Sequence, residues 1–364
     1  MFCSGLIEVR MKKNLAKRTF CMMLALILVL STFTACSGDA SAQKENDSPA
    51  GTIIEETEGT LTVVDQAGRE VTVNKEFDSI ALCYRVVIRF LLSLDQGDKI
   101  AGIGKTEEFL EVLQPSLADC ADVGKGVADI EALAELQPDL FFHKASDVET
   151  LEAVEAIGIP AVGIEIETPE DMLVALDLMG KVCGEEEKAK ELKKYYNNKL
   201  DFIAEKTSAI DKKKTAIIMG SSIGKVADGT MLQGEMIERA GGINCAADLD
   251  ATENWPTAGT EQIFAWDPEY IFITNSESAS YTVQDILKDP AWSEMKAVKN
   301  KHVYVMPAEQ DSWEFPGVMS VLGIEYMMKT MYPEIMSDAE LEESVNEFYQ
   351  LSYGTTFDRS VLGY

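Results

Sequence analysis

Asp129-Ile-Glu-Ala-Leu-Ala-Glu-Leu-Gln-Pro-Asp-Leu-Phe-Phe-His143 and Gly259-Thr-Glu-Gln-Ile-Phe-Ala-Trp-Asp-Pro-Glu-Tyr-Ile-Phe-Ile-Thr274 are two copies of one pattern. Aligned without gaps, Glu131 falls on Glu261, Pro138 on Pro268 and Phe142 on Phe272, while Leu133 meets Ile263 and Asp139 meets Glu269. Each copy predicts a short amphipathic helix that opens with Glu, stops before Pro, and gives way to an apolar run suited to a buried strand. Two such units predict two similar α/β lobes. A carboxylate in the first turn of a helix is favoured by the macrodipole, so either Glu alone needs no function. Their equivalent placement in two lobes makes the pair a candidate.

Working outward, Leu61 to Val73 reads as a hairpin turning at Gln66 to Gly68. Strand and helix patterns then alternate. Ser79–Cys83 is a strand, Tyr84–Leu94 a helix and Lys99–Ile103 a strand; strand Leu140–His143, helix Val148–Ile157 and strand Pro160–Ile164 follow. Such alternation implies a parallel sheet covered by helices on both faces. After Thr168-Pro169 comes the longest helical stretch, Glu170 to about Ile210, broken at Cys183-Gly184; its charged second part suits a helix crossing between lobes. A second βα series starts at Thr215–Met219 and closes on a helix from Val318 to Met331.

The first residues form an export signal. Lys12, Lys13, Lys17 and Arg18 precede an almost wholly apolar run from Phe20 to Phe33, and Thr34-Ala35 leads to Cys36. The run is short for a membrane span. It resembles a bacterial lipobox, with Phe33 where an aliphatic residue is usual, which makes Cys36 the expected lipid anchor and sets the chain on the outer side of a cell membrane. Met11 opens an ordinary signal sequence and is an alternative start. Residues 37 to 58 have the composition of a disordered tether. The expected organisation is a signal over 1–35, a tether over 36–58, a first lobe over 59–169, a helical region with the inter-lobe helix over 170–210, and a second lobe over 211–364.

The formal charge is −30, and removing the leader's five basic residues and one acidic residue takes it to −34. An acidic chain of this kind lacks the basic face that nucleic acid requires. Cys83, Cys120, Cys183 and Cys245 are widely spaced with no CxxC, which gives no support to a metal cluster or redox motif; export permits disulfides without pairing these four.

The chain after the tether resembles the solute-binding proteins of ABC importers that capture ferric siderophores, haem and cobalamin. The resemblance is carried by Asp65-Gln-Ala-Gly-Arg-Glu-Val-Thr-Val, Val123-Gly124, the twin Glu-to-Pro units, Gly158-Ile-Pro, Gly241-Gly242-Ile-Asn244, and Pro290-Ala-Trp292 running through to Pro307. No piece is specific alone; their order and spacing are. The resemblance implies an α/β fold of two Rossmann-like lobes with central parallel sheets joined by one long rigid helix, which closes by only a few degrees. It also implies that Glu131 and Glu261 dock onto arginines of a permease driven by a cytoplasmic ATPase. The protein would hold no cofactor of its own, its ligand being an iron complex or cobalamin.

Open α/β sheets bind ligands beyond the carboxyl ends of their strands. The candidates there are Tyr84, Arg85, Lys105, His143 and Lys144 in the first lobe, and Ser221, Ser222, Trp255, Asn275 and Trp313 in the second. Arg85 and Arg89 fall on one face of a predicted helix, where they read as a solvated face or as a clamp for an anion. Trp255 and Trp313 read as stacking platforms or as packing. Two histidines are too few for a bare zinc or manganese site; His143 faces the expected cleft, and His302 reads as an exposed turn residue. Molybdate or tungstate, held by Ser and Arg near helix N-termini, is the alternative ligand. Enzyme readings find little: Gly220-Ser-Ser-Ile-Gly-Lys-Val226 has three residues between its glycines where a phosphate loop has four, and neither HExxH nor GxSxG occurs. A surface-anchored enzyme is the reading from another class.

Overall fold

The computed structural model describes residues 48–104, 108–249, 254–275, 279–308 and 311–357; the export signal, Cys36 and Lys105 lie outside them. It opens with a three-stranded antiparallel sheet, β1 (Ile53–Glu56), β2 (Thr60–Val64) and β3 (Glu70–Asn74), in that order. The tether expected to reach residue 58 is therefore shorter, because Ile53–Glu56 pairs with β2. In the β2–β3 turn, Gly68 takes φ +77°. The buried Asp65 carboxylate accepts from the amides of Ala67, Arg69 and Gly163, each at 2.9 Å. Arg69 donates to Asp65 at 2.7 Å and to the carbonyl of Ala161, so one ion pair both closes the hairpin and fastens it to the first lobe.

The first lobe has a five-stranded parallel sheet of β4 (Ile80–Leu82), β5 (Ile100–Ile103), β6 (Ala121–Asp122), β7 (Leu140–Lys144) and β8 (Ala161–Ile164), in the order β6-β5-β4-β7-β8. Its helices are α1 (Val87–Ser93), α2 (Glu108–Leu113), α3 (Ile130–Leu136) and α4 (Val148–Ala156). Helix α1 starts three residues later than expected: Tyr84 to Val86 form a turn whose carbonyl at Tyr84 accepts the Val87 amide. Arg85 thus precedes the helix that carries Arg89.

Two helices lead across. A capping box between Thr168 and Asp171 with Pro169 in the first turn starts α5 (Pro169–Cys183), and Gly184 at φ +72° stops it. Then α6 (Glu186–Thr207) buries Ala189, Leu192, Tyr195, Tyr196 and Ile203 along one stripe. At 1.5 Å per residue, its 22 residues span about 33 Å.

The second lobe has a four-stranded parallel sheet of β9 (Thr215–Met219), β10 (Ile243–Asn244), β11 (Tyr270–Ile273) and β12 (Val303–Val305), in the order β10-β9-β11-β12. Its helices are α7 (Leu232–Arg239), α8 (Thr260–Trp266), α9 (Val283–Lys288), α10 (Lys296–Lys299), α11 (Ser320–Met331) and α12 (Asp338–Tyr353). The last helix returns: α12 packs on α1 of the first lobe as well as on α6 and α11. One buried apolar cluster runs from Leu61 through Leu82, Leu192 and Phe272 to Phe348, while the outer face of each sheet has its own smaller cluster. The described residues form a single compact unit. The four body cysteines are free, and burial pushes the Cys83 and Cys183 thiols up to about 12.

The twin units are alike in detail. Asp129 caps α3 through the Ala132 amide, Gly259 precedes α8, and both helices end on a left-handed non-glycine residue, Gln137 at φ 50° and Asp267 at φ 45°. Asp139 then accepts from the amide and hydroxyl of Ser79, at the start of the strand beside β7. Glu269 accepts from the Thr215 amide at the start of the strand beside β11.

Candidate ligand cleft

In an open α/β sheet the strand order reverses at one point, and the loops leaving the two strands there diverge and leave a crevice. In the first lobe that point lies between β4 and β7, where Tyr84 follows β4 and Lys144 ends β7. In the second it lies between β9 and β11, followed by Gly220 to Ser222 and by Thr274. These segments converge on one cavity of about 790 Å³.

On the first-lobe side, Lys144 Nζ donates to Glu167 Oε1 at 2.6 Å and sits 6.0 Å from the Tyr84 ring centroid. That bond raises the ammonium pKa, and burial raises the phenol of Tyr84. On the other side Ser221, Ser222 and Lys225 belong to a tight turn in which Lys225 N–H donates to the Ser222 carbonyl at 3.1 Å and Gly224 takes φ +91°. Tyr281 Oη secures the turn by donating to the Gly220 carbonyl at 2.9 Å. Trp255, held at φ +57°, lays its ring against Gly220, where a Cβ would come within 2.8 Å of Cε3. Glycine there permits the indole to lie on the cleft wall.

Of the expected residues, Tyr84, Lys144, Ser221, Ser222 and Trp255 line the cavity. Asn275 stands beside it, exposed, with its amide donating to Glu314 Oε1 at 2.9 Å. Arg85 is half-buried and not on the wall. His143 is a correction. Along β7 successive side chains alternate faces, so His143 points away from Lys144, is 1% exposed, stacks on Phe141 and bonds Asp147 through Nε2 at 2.9 Å. Trp313 is another: it is fully buried, edge-on to Tyr326 and against Phe357. Arg89 is no free clamp, since Nε donates to Asp311 Oδ1 at 2.6 Å. His302 is half-buried and stacked on Tyr270 at 4.4 Å.

Glu314 is one of the wall residues that the sequence did not single out. It is 1% exposed; its carbonyl accepts from Gln233 Nε2 at 2.9 Å, and Oε2 has no hydrogen-bond partner among the described residues. Burial pushes its carboxyl up to about 7, opposed by its own amide, that of Asn275 and the Arg89 charge. The signal was its place in Asp311-Ser-Trp-Glu314-Phe-Pro-Gly317, where the tryptophan drew the attention.

Glu131 and Glu261 sit exposed in the first turns of α3 and α8, and neither lines the cavity.

The family described as periplasmic binding protein matches residues 80–310. The molybdate-binding protein MolA of Haemophilus influenzae is 24% identical over 329 residues, covering 81% of this chain and 91% of its own; its molybdate-bound structure has a TM-score of 0.72 at 22% identity, covering 82% of this chain and 99% of that one. The iron(3+)-hydroxamate-binding protein YxeB of Bacillus subtilis is 24% identical, covering 81% and 89%. A periplasmic solute binding protein from Veillonella parvula has a TM-score of 0.74 at 27% identity, covering 83% and 95%.

Proposed function

Because the chain belongs to the periplasmic binding protein family, we propose that it is the substrate-binding lipoprotein of an ABC importer, capturing an iron chelate such as a ferric siderophore or haem, or cobalamin, between its lobes. The protein does no chemistry on its ligand. The observation that carries the choice is the cleft: about 790 Å³, walled by Tyr84 and Trp255 as well as by polar groups, falls within the range of sites for drug-sized ligands, roughly 300–1,000 Å³. The likeness to an iron-hydroxamate-binding relative agrees with it. Cys36 would carry the lipid that keeps the protein at the outer membrane surface, and Glu131 and Glu261 would dock it on the permease.

A tryptophan-fluorescence titration with ferric hydroxamates, haem, cobalamin, molybdate and tungstate tests this. Saturable quenching by a chelate at micromolar concentration or below is expected, with Trp255 as the reporter on the wall. A response to the oxyanions alone would move the protein to the second reading, which the relative named for molybdate favours. Ser221, on the wall, would then be the first residue to replace.

A further inference from the structure

We propose that Glu314 is the acceptor through which the cleft selects its ligand: the second carboxyl oxygen takes a hydrogen bond from a donor on the bound chelate, an amide N–H, hydroxyl or ammonium, and disfavours a bare tetrahedral oxyanion. This rests on the reading of the cleft as the ligand site.

Three observations lead to it. Glu314 lies on the cavity wall yet is 1% exposed. Its Oε1 is occupied by the Asn275 amide at 2.9 Å, while Oε2 is buried with no partner among the described residues. Buried acceptors in native proteins are nearly always satisfied, and an exception calls for a reason; beside a ligand cavity, a partner that arrives with the ligand supplies one. The residue is also held in place. Gln233 anchors its carbonyl at 2.9 Å, and Phe315, which follows it, lies under the Arg89 guanidinium at 4.7 Å. That guanidinium already donates to Asp311, whose other oxygen accepts from Tyr353 at 2.7 Å.

With its carboxyl pushed up to about 7 by burial, Glu314 makes the two ligand classes respond oppositely to pH. A donor binds the ionised form best, so its affinity rises as pH passes through 7. An oxyanion requires the protonated form, so its affinity falls. Arg89 and Asp311, buried beside Glu314, act on it by charge, and Lys144, Glu167 and Lys225 share the cleft wall with it; comparing variants at one pH cancels their share.

The test is calorimetric titration of the full chain in mild detergent, wild type and Glu314→Gln, at pH 5.5 and 8.5. The ligands are ferrioxamine B, a ferric trihydroxamate with a terminal ammonium, its N-acetyl derivative, haem, cobalamin and molybdate. The wild type is expected to bind a chelate about tenfold more tightly at pH 8.5, and Glu314→Gln to lose that tenfold and with it the pH dependence. A chelate bound equally by both proteins at both pH values overturns the role of Glu314 and leaves chelate capture standing. Molybdate bound alone, with an affinity that does not fall at pH 8.5, overturns both. If Glu314→Gln fails to fold, the protons exchanged on binding to the wild type at pH 7, measured in two buffers of different ionisation heat, decide instead: release supports the proposal, and uptake or no exchange sinks it.

Discussion

Arg89, on the first helix of the first lobe, and Asp311, in the loop before α11 of the second, form an ion pair at 2.6 Å with side chains 2% and 0% exposed. It spans the two lobes inside the continuous core. The Asp311 carboxyl is nonetheless raised, since burial outweighs the pull of Arg89 and Tyr353. Breaking a buried pair leaves an uncompensated charge, which typically costs about 3–5 kcal/mol, whereas replacing both partners by apolar side chains is often neutral. Arg89→Met is therefore expected to lower unfolding stability by about 3 kcal/mol, and the double variant Arg89→Met/Asp311→Leu to recover most of it. Urea midpoints measure both; an unaffected single variant would show that the pair contributes little.

Rigid lobes follow from the same core. Helices α6 and α12 both pack between the lobes, and moving one lobe far against the other would open close-packed apolar surface. X-ray scattering with and without ligand should show closure by only a few degrees, as the family resemblance implies. A change in radius of gyration of the size that hinge-bending receptors show would count against it.

Stability should fall as the medium goes from acid to neutral. Burial pushes Glu325, as it does Glu314, from the ordinary 4.5 to about 7, against Lys199 and the Ser344 hydroxyl. Between those two values the folded chain holds protons that the unfolded chain has lost, so stability declines as pH rises from about 4.5 to 7. The loss is on the order of 3 kcal/mol per group. Glu325→Gln should flatten the thermal-melting profile between pH 5 and 8. A variant melting in parallel with the wild type at both ends would assign the decline elsewhere.

Both lobes, the broken helix and the crossing were legible because they rest on local signals: the Glu-to-Pro repeat, the capping box at Thr168, the glycine at 184. The strand ends that build the cleft were legible for the same reason, and Tyr84, Lys144, Ser221, Ser222 and Trp255 meet there. What a linear reading misses is which way a side chain faces. His143 and Lys144 are neighbours in sequence but on opposite faces of β7, and Trp313 and Glu314 differ likewise, the indole going to the core and the carboxylate to the wall. Neither Arg89–Asp311 nor the return of α12 to α1 leaves a short-range trace, because each joins residues far apart in the chain.

Gly220→Ala tests whether the indole of Trp255 belongs to the binding surface. The added methyl would sit 2.8 Å from Cε3 and 3.1 Å from Cδ2 of Trp255, forcing the ring off the wall. Binding of a chelate should weaken about tenfold or more, which is roughly one stacking contact, with little change in melting temperature. Unchanged affinity would place the ligand on the opposite side of the cleft.

Glu131→Arg and Glu261→Arg separate docking from capture. Each carboxylate occupies the first turn of a short helix, where reversal of charge costs about 0.3–1 kcal/mol of macrodipole interaction, too little to unfold the protein. Neither residue lines the cavity, so ligand affinity should stay within twofold of wild type. Complementary charge at two separate points orients a diffusing partner and fixes its register, so import in whole cells should fall at least tenfold for either variant and further for both. A permease variant with the reverse charges should restore part of it. Import at the wild-type rate in the double variant would remove the pair from the docking surface and leave the two carboxylates as ordinary helix-start residues.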